Sequence, residues 1–394
     1  MSPSPVYLDY AATTPVAPEV AARMTECLTL DGTFGNPGSA SHAYGEEASA
    51  RVEAARAQVA DAVGAQSADV VFTSGATEAN NLAIFGTARY YQEAGRHIVT
   101  ARTEHKSVLD PCKELERRGW SITYLVPGAD GALDPARVAA AVRPDTVLVS
   151  IMHVNNETGV IADVGTIAAL CARAGNARIH VDAAQSVGKC EVDFAALDVD
   201  LLSVSAHKAY GPKGAGALIV SRRRGAHLMP ILYGGGQEGG LRPGTVATHQ
   251  AVGMGAAFEL ARAARGSEHG RIAALAERLW DALRAMGGVV RNGAAAARVP
   301  HVLNVSFEGV EGESLLAAVQ PQLAVSTGSA CTSATQDASY VLRALGRDDR
   351  LAESSLRFSL GRFTSEADID TAAAVVTGAV ERLRRIAGRR DAGT

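Results

Sequence analysis

Seven short β-branched runs, separated by stretches with helical spacing, constrain the fold of this chain more than any other feature. The runs cover residues 70–74, 97–100, 121–125, 146–151, 179–182, 201–205 and 217–220. Several are apolar on both faces, as strands buried in a parallel sheet must be. Residues 48–63, ahead of the first run, place apolar side chains at 48, 52, 55, 59 and 63, the period of one helix face. Strands alternating with helices in this way predict a layered α/β sheet.

After about residue 246 the order changes. Helical spacing over roughly 248–265 and 270–286 leads to a strand at 302–307, a helix, a short strand and a strand at 356–360. A long helix from about Glu366 follows. This reads as a smaller α+β domain, and at 394 residues two domains are expected. No internal repeat and no low-complexity linker separates the halves, which predicts a tight interface between them.

The charge balance excludes some classes of function. A net charge of −4 provides no field for nucleic acid or an acidic membrane. The late arginines 382, 384, 385, 389 and 390 suit the C-terminal end of a helix. No secretory signal is expected, and no uncharged run reaches the length of a membrane span. The five cysteines (27, 112, 171, 190 and 331) are scattered without a CxxC pair. Neither a disulfide framework nor a zinc site fits that spacing, so no metal and a cytoplasmic location are expected.

Three elements fall where α/β sheets place ligands, at the carboxyl ends of strands. The block 73–80 is a strand–turn–helix junction whose helix N-terminus, around Ala76 and Thr77, suits a phosphate. Asp182 ends a very apolar strand, with Gln185 just beyond it. Ser205, His207 and Lys208 follow the next strand. A lysine there can form a Schiff base with an aldehyde, and a strand-end carboxylate can keep a pyridine nitrogen protonated. Those are the two parts a protein needs to use pyridoxal 5′-phosphate as an electron sink. Each element alone also has a plain structural reading, as a helix cap, a turn former or a partnered lysine. The stretch 211–216 lacks a P-loop ending and precedes a strand, which argues against dinucleotide binding. The glycine-rich loop 234–240 is rich in backbone donors, but alone it reads equally well as surface.

With these residues in place, the chain resembles the cysteine desulfurases of the NifS/IscS kind, class-V aminotransferases among the fold-type I pyridoxal phosphate enzymes. The resemblance runs through Tyr7-Leu-Asp-Tyr-Ala-Ala-Thr-Thr-Pro15, the Gly35-Asn-Pro-Gly block, Phe72-Thr-Ser-Gly-Ala-Thr-Glu78 and Thr103-Glu-His105. It continues through Met152-His-Val-Asn-Asn-Glu157, residues 180–186 and 205–214, Ser326-Thr-Gly-Ser-Ala-Cys-Thr-Ser333 and residues 355–362. It implies a large domain (15–260) with a mainly parallel seven-stranded sheet flanked by helices. It also implies a smaller α+β domain (1–14 and 261–394) that carries a catalytic cysteine loop.

The resemblance also implies roles. Lys208 would be the imine-forming lysine and the base at Cα. Asp182 would pair with the ring nitrogen and Gln185 with the ring hydroxyl. His105 would stack on the ring, assist proton transfer and help ionise Cys331. Ala76, Thr77, Ser205 and His207 would bind phosphate, with Thr245 reaching across from a second subunit. Asn155, counted among both cofactor and substrate contacts, would hold the substrate carboxylate together with Arg357 and Asn36. Cys331 would take sulfur from L-cysteine as a persulfide, leaving L-alanine. The implied enzyme is a homodimer serving a sulfur acceptor: an iron–sulfur scaffold, a tRNA thiolation enzyme or a DNA phosphorothioation system. The alternative is another enzyme on this scaffold, such as a selenocysteine lyase or an aminotransferase. Gly239 departs from the pattern, standing where the family often has arginine. Arg357 alternates with Leu356, Phe358 and Leu360, so by itself it would read as a surface residue leaving the packed face. Cys27, Cys112, Cys171 and Cys190 read as small buried hydrophobes.

Overall fold

The computed structural model describes residues 4–293, 297–327 and 338–391. All seven runs read from the sequence are strands. After the short β1 (Val6–Tyr7), they are β2 (Val70–Thr73), β3 (His97–Ala101), β4 (Ser121–Leu125), β5 (Thr146–Met152), β6 (Arg178–Asp182), β7 (Leu201–Ser205) and β8 (Gly216–Val220). They form one sheet in the order β2-β8-β7-β6-β5-β3-β4. Every pairing is parallel except those of β8, which runs antiparallel to both neighbours. The cause is local. Only residues 206–215, which begin with the turn Ala206–Lys208, separate β7 from β8, too little chain for the crossover of a dozen or more residues that a parallel partner requires.

Alternate strand residues feed opposite layers. Ile98 and Leu148 pack under the helices Ala76–Tyr91 and Lys106–Arg117, while Val99 and Val149 face Ala43–Val63 and Val164–Ala174. The expected stripe Ala48, Val52, Ala55, Val59 and Val63 is buried throughout, and Gly64 ends that helix in the left-handed region at φ 66°.

One expectation needs correction. Residues 248–265 and 270–286 are not two helices but one, Thr248–Arg284. Gly266 and Gly270 each cost about 1 kcal/mol relative to alanine, yet packing at both ends outweighs them. The first half buries Met254 and Phe258 in the large core, and the second buries Ile272, Leu275 and Leu279 in a separate core. That second core lies against a small antiparallel sheet. Its strands are β9 (Val289–Arg291), β10 (Val302–Phe307), β12 (Ser326–Thr327) and β13 (Ser355–Ser359), in the order β12-β13-β10-β9. The helix Glu366–Asp391 covers it with Ile369, Ala372 and Val376. Strand β1 pairs in parallel with β11 (Leu323–Ala324). From there residues 8–14 leave the small sheet and run to the end of β7, where Thr14 N–H donates to His207 O at 2.9 Å. The two cores are thus joined both by one helix and by this N-terminal strap.

Candidate active site

Parallel strands β2, β3, β5, β6 and β7 converge on a cavity of about 530 Å³. At its base, β2 turns through Thr73, Ser74 and Gly75 into the helix Ala76–Tyr91. No side chain caps that helix, so its first-turn N–H groups, at Ala76 and Thr77 on the cavity wall, are free for an anion. Glu78 folds back to accept from Ser74 N–H at 2.7 Å and pairs with Arg242 at 2.8 Å. The turn needs glycine across from it. A Cβ on Gly216 of β8 would sit 2.5 Å from Gly75 Cα. Ser205 closes the base: its Oγ is buried and has no hydrogen-bond partner among the described residues. His207 lines the same wall, with Nδ1 3.1 Å from Thr13 Oγ1. Burial, followed by nearby lysines, pushes that imidazole down to about 4.

The middle of the cavity carries the chemistry-bearing groups. Lys208 Nζ donates to Ala11 O and Ala12 O, each at 2.6 Å. Asp182 accepts from Ala184 N–H at 3.0 Å and from Asn80 Nδ2 at 2.8 Å. Gln185 donates to Ala11 O at 2.8 Å and accepts from the buried Lys189 ammonium. Burial, reinforced by Lys208, pushes Lys189 down to about 7. His105 caps the helix Lys106–Arg117, with Nδ1 accepting from Ser107 N–H at 3.1 Å and lying 2.8 Å from Ser107 Oγ. Burial holds this imidazole below its ordinary range, with Asp182 opposing.

At the far end Arg357 enters from β13. It does leave the apolar core but is not a surface residue. Only 3% exposed, it donates to Asn156 O at 2.9 Å and to Asp9 at 2.8 Å beside the cavity.

Three expected residues are not on the cavity wall. Asn155 spends its side chain on its own turn: Oδ1 accepts from Glu157 N–H, Thr158 N–H and the Thr158 hydroxyl, and Nδ2 donates to Thr103 O. Its neighbour Asn156 lines the cavity instead, with a buried Oδ1 that has no partner among the described residues. Asn36 is exposed and accepts from Gly38 N–H, and Thr245 is exposed as well. Cys331 lies outside the described residues.

Sequence reasoning missed Asn80, Ser107 and Asn156. A buried asparagine inside an apolar helix face was the available signal for Asn80, because such a residue is costly unless bonded. For Ser107 and Asn156 only proximity to His105 and Asn155 could have pointed the way.

The residues present suit pyridoxal phosphate. An uncapped helix end and a Ser205 hydroxyl without a partner among the described residues suit an anion, and an amine and a carboxylate stand at the ends of the adjacent strands β7 and β6. Among the described residues no cluster could hold a metal ion, and no helix is long and apolar enough to cross a membrane.

Residues 6–371 match the aminotransferase class-V family. The cysteine desulfurase IscS of Pseudomonas savastanoi pv. phaseolicola is 55% identical over 382 residues, covering 97% of this chain and 94% of that protein. Among solved structures, a NifS-like protein superposes with a TM-score of 0.90 at 32% identity, covering 96% of this chain and all of that one. SspA in complex with cysteine superposes with a TM-score of 0.79 at 37% identity, covering 91% of this chain and 99% of that one.

Proposed function

This chain belongs to the aminotransferase class-V family, and on that premise we propose that it is a pyridoxal phosphate-dependent cysteine desulfurase. It converts L-cysteine to L-alanine and receives the sulfur on Cys331 as a persulfide. The observation that carries this reading is the pairing of Lys208 and Asp182 across one cavity, above an anion cradle made by the Ala76 helix end and Ser205.

Bound there, pyridoxal 5′-phosphate supplies an aldehyde that takes up amines and an electron-poor ring that weakens bonds at the substrate's Cα. Ala76, Thr77, Ser205 and His207 would hold the phosphate, Asp182 would bind at the ring nitrogen, Gln185 at the ring hydroxyl and His105 against the ring. Lys208 would be the base at Cα, and positioned help of that kind contributes roughly 10²–10⁴-fold. The Arg357 fork fits a carboxylate in two-point geometry. Asn156, on the cavity wall, takes the place of Asn155 beside it, its side-chain NH2 being the group that can donate to a carboxylate. The thiolate of Cys331 then attacks the substrate sulfur. An S–S bond forms as the C–S bond breaks, and the electron pair left on carbon is protonated to give alanine. No outside oxidant is needed. Only the thiolate is competent, and an ordinary thiol near pKa 8.5 is mostly protonated at neutral pH.

We also propose a homodimer, a cytoplasmic location and a protein acceptor for the sulfur: an iron–sulfur scaffold or a thiolation enzyme, including one serving DNA phosphorothioation. The dimer is supported by Thr245 and Asn36, which are exposed and do not line their own cavity, and by the exposed Leu232 and Tyr233 beside the glycine-rich loop. The location is supported by the free thiols of Cys27, Cys112, Cys171 and Cys190.

The test is to reconstitute the protein with the cofactor and follow alanine and, with a thiol reductant, sulfide from L-cysteine. Borohydride trapping is expected to place the pyridoxyl group on Lys208. Cys331→Ala is expected to keep the chromophore and lose sulfide release. A colourless protein, or sulfide release that survives Cys331→Ala, overturns the reading, and a keto-acid product points to an aminotransferase.

A further inference from the structure

Asn80 sits in the helix Ala76–Tyr91, one turn past the residues that open onto the cavity, and is fully buried. Its Nδ2 lies 2.8 Å from Asp182 Oδ2 and 2.8 Å from Ser107 Oγ. A carboxylate oxygen only accepts, so the atom turned toward Asp182 must be the amide nitrogen. Its Oδ1 has no partner among the described residues. That costs about 1–3 kcal/mol, but the reverse orientation would set a carbonyl oxygen against the carboxylate.

The donor accounting then runs one way. Ser107 Oγ accepts from Asn80 and lies 2.8 Å from His105 Nδ1; a hydroxyl oxygen can accept twice, so the next bond decides which of the two gives the proton. Ser107 N–H donates to the same nitrogen at 3.1 Å. A ring nitrogen that accepts from a backbone N–H carries no proton, so the hydroxyl gives its own, and in a neutral imidazole the proton is then on Nε2. Burial keeps His105 toward the neutral form.

We infer that Asn80 is a positioning residue: acting through Ser107, it ties the carboxylate of Asp182 to His105 and sets His105 as the Nε2–H tautomer at the cavity. The chemical consequence rests on the desulfurase reading. His105 enters the reaction as a hydrogen-bond donor from Nε2 to an acceptor atom of the substrate, its sulfur or its carboxylate. On this inference His105 acts as a donor and not as the base that ionises Cys331.

The test is ¹⁵N NMR of histidine-labelled holoenzyme. Wild-type protein is expected to show His105 with an unprotonated Nδ1 and a protonated Nε2. The nearly isosteric Asn80→Leu and the smaller Ser107→Ala leave Ser107 N–H on Nδ1 but loosen or remove the hydroxyl beside it, and each is expected to shift the His105 nitrogen signals, to raise the fraction of the Nδ1–H form and to lower kcat roughly 10-fold, with KM little changed. Ser107→Thr keeps the hydroxyl and restores both readouts. Asn80→Leu alone is expected to shift the pH titration of the cofactor's absorbance, because only that variant takes a donor from Asp182. Should Asn80→Leu fail to fold by circular dichroism, Ser107→Ala carries the test. A wild-type His105 protonated on Nδ1, or a folded variant with unchanged His105 signals and kcat, overturns the inference. Absence of alanine formation by the wild-type enzyme would sink the desulfurase reading and leave the tautomer result standing.

Discussion

The two ends of the cavity, one proposed to hold the phosphate and the other the substrate carboxylate, are assembled in opposite ways. At the phosphate end, Thr73 to Thr77 form one strand–turn–helix junction, and Ser205 to Lys208 form one turn after β7. Each is contiguous in the chain, and its groups point into the cavity because a strand end and a helix start leave backbone donors unspent. At the carboxylate end, Asp9, Asn156 and Arg357 meet only because the N-terminal strap, the turn after β5 and the small sheet pack together. Contiguous sites tolerate the loss of one donor, since neighbouring backbone groups remain. Sites built from distant segments lose their geometry with a single side chain.

Substitutions at the two ends and between them can break or sharpen this contrast. Lys208→Ala, at the centre, should lower alanine formation by about 10²–10⁴-fold while the protein stays folded, as judged by circular dichroism. Arg357→Ala should raise KM for cysteine roughly 10- to 100-fold, the worth of a charge-assisted pair. Arg357→Lys should recover little of it, because a lysine lacks the planar fork and cannot satisfy Asp9 and Asn156 together. Ser205→Ala should cost only about 1 kcal/mol of cofactor affinity, roughly fivefold in Kd by titration, with kcat at saturating cofactor unchanged. An Arg357 variant no worse than the Ser205 variant would remove the contrast.

The smallest effect is on stability. Glu157, buried beside Arg357 and bonded to Ser339, is pushed up to about 7 by burial, against the Ser339 bond and the Arg357 charge. A carboxyl whose folded value lies above its ordinary 4.5 binds more protons in the folded state between those values. Stability from this group is therefore present below about 4.5 and is lost as pH rises through about 7. Glu157→Gln should flatten that slope, measured by denaturant midpoints at pH 5 and pH 8. An unchanged slope would show that another group sets it.

How much could be read in advance follows the same division. The seven strands stood out because buried parallel strands must be apolar on both faces. The helix Thr248–Arg284 read as two because glycines weaken helix propensity locally, whereas its continuity comes from cores at both ends. Asn155 and Asn156 are indistinguishable as adjacent letters. The turn decides which one is consumed by Glu157 and Thr158 and which one faces the cavity. Arg357 alternates with core residues, so its departure from the apolar face was legible; its burial against Asp9 was not.

The order of residues alone determined the layered α/β sheet, the uncapped helix start and the lysine and carboxylate at strand ends, because each depends on periodicity and near neighbours. Tertiary structure alone decided the contacts among Asn80, Ser107 and His105, the position of Asn156 on the cavity wall and the buried fork of Arg357. Hydrogen-bond direction and burial belong to groups brought together across the chain, and no local pattern specifies which donor meets which acceptor.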